Sequence, residues 1–189
     1  MQLSRLWQAC LFCILTLILS SCATQVATPP APAASDYPYS ASYDESKYEA
    51  RLPKKISLGK EKVILVDPKL FAWGAYDKEG NLVRGGIATA GADYCPDDGG
   101  PCRTAIGTFR IFSLGGGECA SKTYPRGKGG ALMPYCMFFH NGESLHGSPD
   151  RMLVESNISH GCVHIRIPDA EWLRNNFASV GTKVVVQPY

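Results

Sequence analysis

The sequence predicts a mostly β domain, a sandwich or half-open barrel with one helix packed on it. Three observations carry this. From residue 62 onward, short β-prone runs alternate with turn residues such as Asp67-Pro68 and Glu79-Gly80-Asn81. The chain holds 19 glycines and 13 prolines, a composition suited to many turns. Helical spacing after the strands is confined to one stretch, where Ala170, Leu173 and Phe177 follow Pro168 at i, i+3 and i+7.

The elements follow in chain order. Residues 1–21 read as a secretory signal: Arg5 precedes an apolar run over 9–19, too short to cross a bilayer that needs about 20 residues. Leu19-Ser20-Ser21-Cys22 then resembles a bacterial lipoprotein box, which makes Cys22 the lipidated first residue of the mature chain. Ala23, where inner-membrane retention uses Asp, points to the outer membrane facing the periplasm. Residues 22–55 are rich in Ala, Pro, Ser, Thr and Tyr without apolar period, and read as a flexible tether. The domain is expected over 56–189, with strands over 63–66, 70–76, 82–88, 107–114, 133–140, 143–146, 163–167 and 182–187, and the helix between the last two. No internal repeat is present. Nineteen basic against seventeen acidic residues leave a net charge of +2, which offers no case for a nucleic-acid partner.

The chemistry concentrates in Ser159-His160-Gly161-Cys162-Val163-His164, read with His146 sixteen residues before the cysteine. A cysteine attacks as its thiolate and needs a group that takes its proton; a histidine does this near neutral pH. Gly161 lets successive backbone N–H groups point one way, as an oxyanion hole requires.

His146-Gly147 followed by Ser159-His160-Gly161-Cys162 resembles the signature of the L,D-transpeptidase catalytic domain (YkuD type), supported by Gly107-Thr108-Phe109 and by 169–173. The likeness covers roughly 62–189 and is closest to the small lipoprotein members of the enhanced-entry (EnhA-like) group. It implies an L,D-transpeptidase-like β fold, no cofactor and no metal. It implies Cys162 as nucleophile, His146 as base, the Gly147 carbonyl orienting the ring in a thiolate–imidazolium pair, and the amides of His160, Gly161 and Cys162 as the oxyanion hole beside Ser159. The chain departs from the family at His164, where Arg or Asn is usual; His164 itself, Arg166, two further on, and Arg151 in the 148–158 loop are candidate substrate contacts. The implied substrate is the peptidoglycan tetrapeptide stem: the terminal D-Ala leaves and the acyl group passes to an amine, giving a 3-3 cross-link or an attachment. Two alternatives stand beside it, a carboxypeptidase or thiol hydrolase that uses water, and a non-catalytic envelope-binding lipoprotein. The partners are then stem peptides and, through the lipid, a membrane.

Of the eight cysteines, Cys10 and Cys13 leave with the signal and Cys22 takes the lipid. Four of the other five pair in an oxidising compartment. Cys95–Cys102 and Cys119–Cys136 close local loops, one of three possible connectivities, and leave Cys162 free; the gaps do not resemble the short ligand pairs of zinc sites.

Overall fold

The computed structural model describes residues 43–189, so the signal, Cys22 and the first part of the expected tether lie outside the described residues. Nine strands form two sheets: β1 Val63–Asp67, β2 Ala72–Tyr76, β3 Leu82–Ile87, β4 Gly107–Arg110, β5 Ser113–Leu114, β6 Met137–His140, β7 Glu143–Ser148, β8 Val163–Arg166 and β9 Lys183–Val186. The first sheet runs β3-β2-β1-β9-β4 and the second β5-β6-β7-β8. All pairings are antiparallel except β1 with β9 and β7 with β8. Helix α1 (Glu45–Glu49) precedes the sheets, and α2 (Ile167–Trp172) follows β8 and winds into a π-turn over Leu173–Phe177. The mostly β, two-sheet class expected from the sequence is therefore the observed one.

The main core lies between the sheets. Ile64, Val66, Trp73 and Ala75 of the first sheet meet Met137, Phe139, Leu145, Val163 and Ile165 of the second, and Ile167, Ala170, Leu173 and Phe177 close one side. Every residue of β2 is buried because the first sheet is covered on both faces. Its outer face carries a second cluster of Val63, Leu65, Ala72, Tyr76, Ile87 and Val185, capped by Tyr48 and Leu52.

That cap corrects the expected tether, which ran to residue 55. Residues 43–52 are folded onto the domain. Asp44 caps α1 by accepting from Ser46 N–H, Glu45 pairs with Arg84 at 2.9 Å, and Glu49 accepts from Gly85 N–H at 3.0 Å. Lys47 and Arg51 both reach Glu155, at 2.7 and 2.8 Å. Tyr48 and Leu52, four positions apart, with Tyr43 packed beside them, carry the apolar face, which is too little to stand out as a period.

The expected strand over 107–114 is two strands in different sheets. Buried Ile111 is the crossing point: its N–H donates to Thr182 O in one layer, and the next N–H, of Phe112, donates to Phe138 O in the other, both at 2.9 Å. The expected strand over 70–76 starts late because Phe71 adopts a positive φ of 51° in the preceding turn.

Leu52 is 4% exposed, and its side chain packs in the outer cluster of the first sheet. Leu52→Ala is expected to cost about 3 kcal/mol, the range for a buried leucine truncated to alanine; urea unfolding of a protein beginning at residue 43 measures it. A tether residue would show no change.

Candidate active site

Strands β7 and β8 build the site. They run parallel with His146 opposite His164 and Ser148 opposite Arg166. Side chains alternate along a strand, so 144, 146 and 148 share one face with 162 and 164. That face opens into a cavity of about 1420 Å³, lined by His146, Cys162, His164, Glu143, His160 and Arg151 among others.

His146 is buried at 4% exposure. Its Nδ1 lies 2.9 Å from Gly147 O and 3.4 Å from Ser148 Oγ. A carbonyl only accepts, so Nδ1 carries the proton and Nε2 keeps its lone pair. Burial lowers the His146 pKa to about 4, against a smaller raising effect of the Gly147 carbonyl. Gly147 itself is demanded by close packing: a Cβ there would stand 2.8 Å from Ile167 Cγ1 and 2.9 Å from its Cα.

Among the described residues Cys162 is the free cysteine, and it is half-buried. Its Sγ lies 3.7 Å from Ser144 Oγ and 3.9 Å from Gly142 O. Burial of the sulfur raises the thiol pKa; the Ser144 N–H and hydroxyl oppose this, and the Glu143 charge adds to it. Burial thus works towards the neutral thiol and neutral imidazole and against the thiolate–imidazolium pair that the sequence reading expected, because it disfavours each charged form. Ser144 is a site residue that sequence reasoning missed, although its alternation with His146 on one strand was a usable signal.

The turn before Cys162 is tied from several sides. Gly161 adopts a φ of 112°, in the region that favours glycine, and its N–H donates to Ser159 Oγ at 3.1 Å. Ser159 Oγ in turn donates to Cys162 O. Of the three expected oxyanion donors, Gly161 N–H is thus engaged by a side chain, which leaves the amides of His160 and Cys162. Thr104 Oγ1 donates to Gly161 O at 2.8 Å. The backbone of Ser159 pairs with Ala90 O and Ala92 N. His160 Nε2 sits 2.8 and 2.9 Å from the two oxygens of Asp97.

The remaining expected residues divide. His164 is buried, its ring 4.9 Å from that of His146. Burial first, then the neighbouring His146, lowers its pKa to about 3, while a hydrogen bond to the Met152 backbone works the other way. Arg151 stands in a 3-10 turn, Asp150–Met152, at the cavity rim. Arg166 does not line the cavity; its guanidinium lies 4.0 Å from the Tyr43 ring centroid, where the strand ends and α2 begins. This corrects its expected role as a substrate contact. His140 packs on Phe109 at 4.9 Å and on Glu143 at 3.3 Å. Cys95–Cys102 and Cys119–Cys136 are bonded. Cys95, Asp97 and His160 bring ligand atoms within 4.8 Å of one another, but the Cys95 sulfur is spent in the disulfide and has no thiolate to offer a metal.

Two buried neutral histidines make stability depend on pH. Their folded pKa values, about 4 and about 3, lie below the ordinary 6.5. Above pH 6.5 both states hold these rings neutral and no difference arises. As pH falls from 6.5 towards 4 the unfolded chain takes up protons first, so stability is lost over that window. The loss from His146 alone is expected to be about 2–3 kcal/mol at pH 4.5, on the order of two pKa units of linkage. Urea midpoints at pH 7 and pH 4.5 measure it, and His146→Gln flattens the profile.

Comparison with known proteins agrees with this geometry. Residues 61–186 match the model of the YkuD L,D-transpeptidase catalytic domain. A Bacillus subtilis (strain 168) protein named "Putative L,D-transpeptidase YciB" is 31% identical over 140 residues, which are 67% of this chain and 67% of that protein. Among solved structures, an L,D-transpeptidase of Xylanimonas cellulosilytica superposes with a TM-score of 0.58 at 22% identity, covering 73% of this chain and 66% of that one. One from Stackebrandtia nassauensis gives 0.56 at 25% identity, covering 71% and 59%. The chain thus spans about three fifths to two thirds of these solved chains. With the domain match extending over two thirds of its length and the fold shared, the chain belongs to the YkuD family of L,D-transpeptidase catalytic domains.

Proposed function

We propose that this protein is a peptidoglycan L,D-transpeptidase in which Cys162 carries the acyl group. The observation that supports this most is the shared face of β7 and β8, on which the Cys162 thiol and the His146 ring open into one cavity with Nε2 of His146 left as the proton acceptor. In the first step His146 takes the thiol proton, and the sulfur attacks the carbonyl before the terminal D-Ala of a tetrapeptide stem. The C–N bond breaks, the proton passes from His146 to the departing amine, and a thioester remains on Cys162. The amides of His160 and Cys162 receive the developing oxyanion. In the second step an amine attacks the thioester, one of its protons returns to sulfur through His146, and the C–S bond breaks.

Arg151, at the rim of the cavity, and His164, within it, are the proposed contacts for the stem. Burial raises the thiol pKa, so in this reading proton transfer to His146 accompanies attack on the bound carbonyl. The sequence features of residues 1–22 place the enzyme, in this reading, on a lipid at Cys22 in the outer membrane facing the periplasm, among the small enhanced-entry-type lipoproteins.

Incubation with disaccharide tetrapeptides tests the reading by its products. D-Ala release with dimers is the expected outcome; tripeptide alone selects the hydrolase, and stem binding without turnover selects an envelope-binding role. Cys162→Ala abolishes release, and His146→Gln is expected to lower kcat by about 10²–10⁴-fold, the usual contribution of a general base. A Mycobacterium tuberculosis L,D-transpeptidase has been solved with a faropenem-derived adduct. A penem or carbapenem is accordingly expected to add one adduct mass to Cys162, and an unmodified Cys162 after prolonged incubation counts against the thiol as nucleophile.

A further inference from the structure

The turn that presents Cys162 is gripped by two loops, each closed by its own disulfide. The first, between Cys95 and Cys102, touches it directly. Ser159 O lies 3.5 Å from Cys102 Sγ and 3.8 Å from Cys95 Sγ, and Asp97 within this loop holds His160 Nε2 through both carboxylate oxygens. The second loop, between Cys119 and Cys136, holds the first one. Tyr124 OH donates to Asp98 at 2.6 Å and Arg126 pairs with the same carboxylate. The Tyr124 ring also lies 4.6 Å from the His160 ring, so His160 is fixed by an acid on one side and an aromatic face on the other.

Neither disulfide loop owes this arrangement to regular structure. Residues 95–102 contribute a single bridge, between Cys95 and Gly100, and no named strand. Tyr94, just outside the loop, is exposed, and Asp97 is half-exposed. Loss of the S–S bond would leave Asp97 on a short polar segment without a core anchor, whereas the two-sheet core does not pass through it.

We propose that Asp97 and Tyr124 are positioning residues that act through His160 on the turn carrying Cys162, and that the Cys95–Cys102 disulfide is what keeps Asp97 in place. The inference rests on the transpeptidase reading for its catalytic consequence. Reduction by a dithiol, which supplies two electrons and two protons and is itself oxidised to a disulfide, turns Cys95 and Cys102 into two thiols. It then disarms the enzyme while the domain stays folded. The loosened turn also exposes the Cys162 sulfur, so the thiol becomes easier to modify as it becomes a poorer catalyst.

The test uses the full chain with Cys95→Ser/Cys102→Ser, Asp97→Ala, Asp97→Asn and Tyr124→Phe. Four quantities are read: kcat and KM for D-Ala release, the rate of Cys162 alkylation by iodoacetamide at pH 7 located by peptide mass mapping, and the thermal midpoint. For the double serine variant and Asp97→Ala, kcat is expected to fall about 10–100-fold, the scale of a sub-ångström to ångström misplacement of a catalytic group. KM stays within about 2-fold and alkylation accelerates several-fold as the sulfur meets water; the thermal midpoint shifts little in Asp97→Ala, while the double serine variant, which loses a cross-link, falls by roughly 5–10 °C and still unfolds cooperatively. Asp97→Asn, which keeps an acceptor for His160, restores part of kcat. Unchanged kcat and alkylation in Asp97→Ala would overturn the proposal, as would a loss of kcat that merely tracks a collapse of the thermal midpoint. If the unmodified protein shows no turnover, the transpeptidase reading fails, and the alkylation rates alone decide whether the clamp exists.

Discussion

The parallel pairing of β7 with β8 is the constraint from which the site follows. Because the two strands run the same way and His146 lies opposite His164, alternate residues of the two strands share a face, and His146, Ser148 and His164 on it line the cavity. His146 and Cys162, sixteen positions apart in the chain, thereby come to line one cavity. A slip of one residue would turn His146 or Cys162 towards the core. The register is held by the buried partners on the opposite face, Leu145, Val163 and Ile165, each with essentially no exposure, and by the first turn of α2 pressed against Gly147. Packing energy thus fixes the geometry of the chemistry.

The same packing sets the electrical state of the site. A sulfur and two imidazoles removed from water all favour their uncharged forms. Ser144 offsets part of that cost at the sulfur by aiming its N–H and hydroxyl there. The Nδ1 contact to Gly147 O fixes one tautomer of His146 without any carboxylate, so no negative charge stands behind the base.

Much of this was legible in the sequence, and the parts that were not share a cause. The strands around 63, 82, 143, 163 and 183 announced themselves by β-branched and aromatic runs, and the cysteine–histidine spacing marked the site. Ile111 hid the division of one apparent strand into two, because a residue that passes between layers carries the same apolar signature as one within a strand. Tyr48 and Leu52 hid an entire docked segment, because two apolar residues in a polar stretch show no period. The engagement of Gly161 N–H by Ser159 and the seating of Arg166 over Tyr43 depend on the direction of single side chains, which spacing does not encode.

The position of β9 has a consequence for how the first sheet assembles. It is an interior strand of that sheet, clasped between β1, whose first residue is Val63, and β4. Without β9 the layer falls into the three-stranded piece β3-β2-β1 and the lone strand β4, each with an open edge. The pairing that joins them links residues as distant in the chain as Val63 and Lys183, so this sheet closes through a long loop and does so slowly.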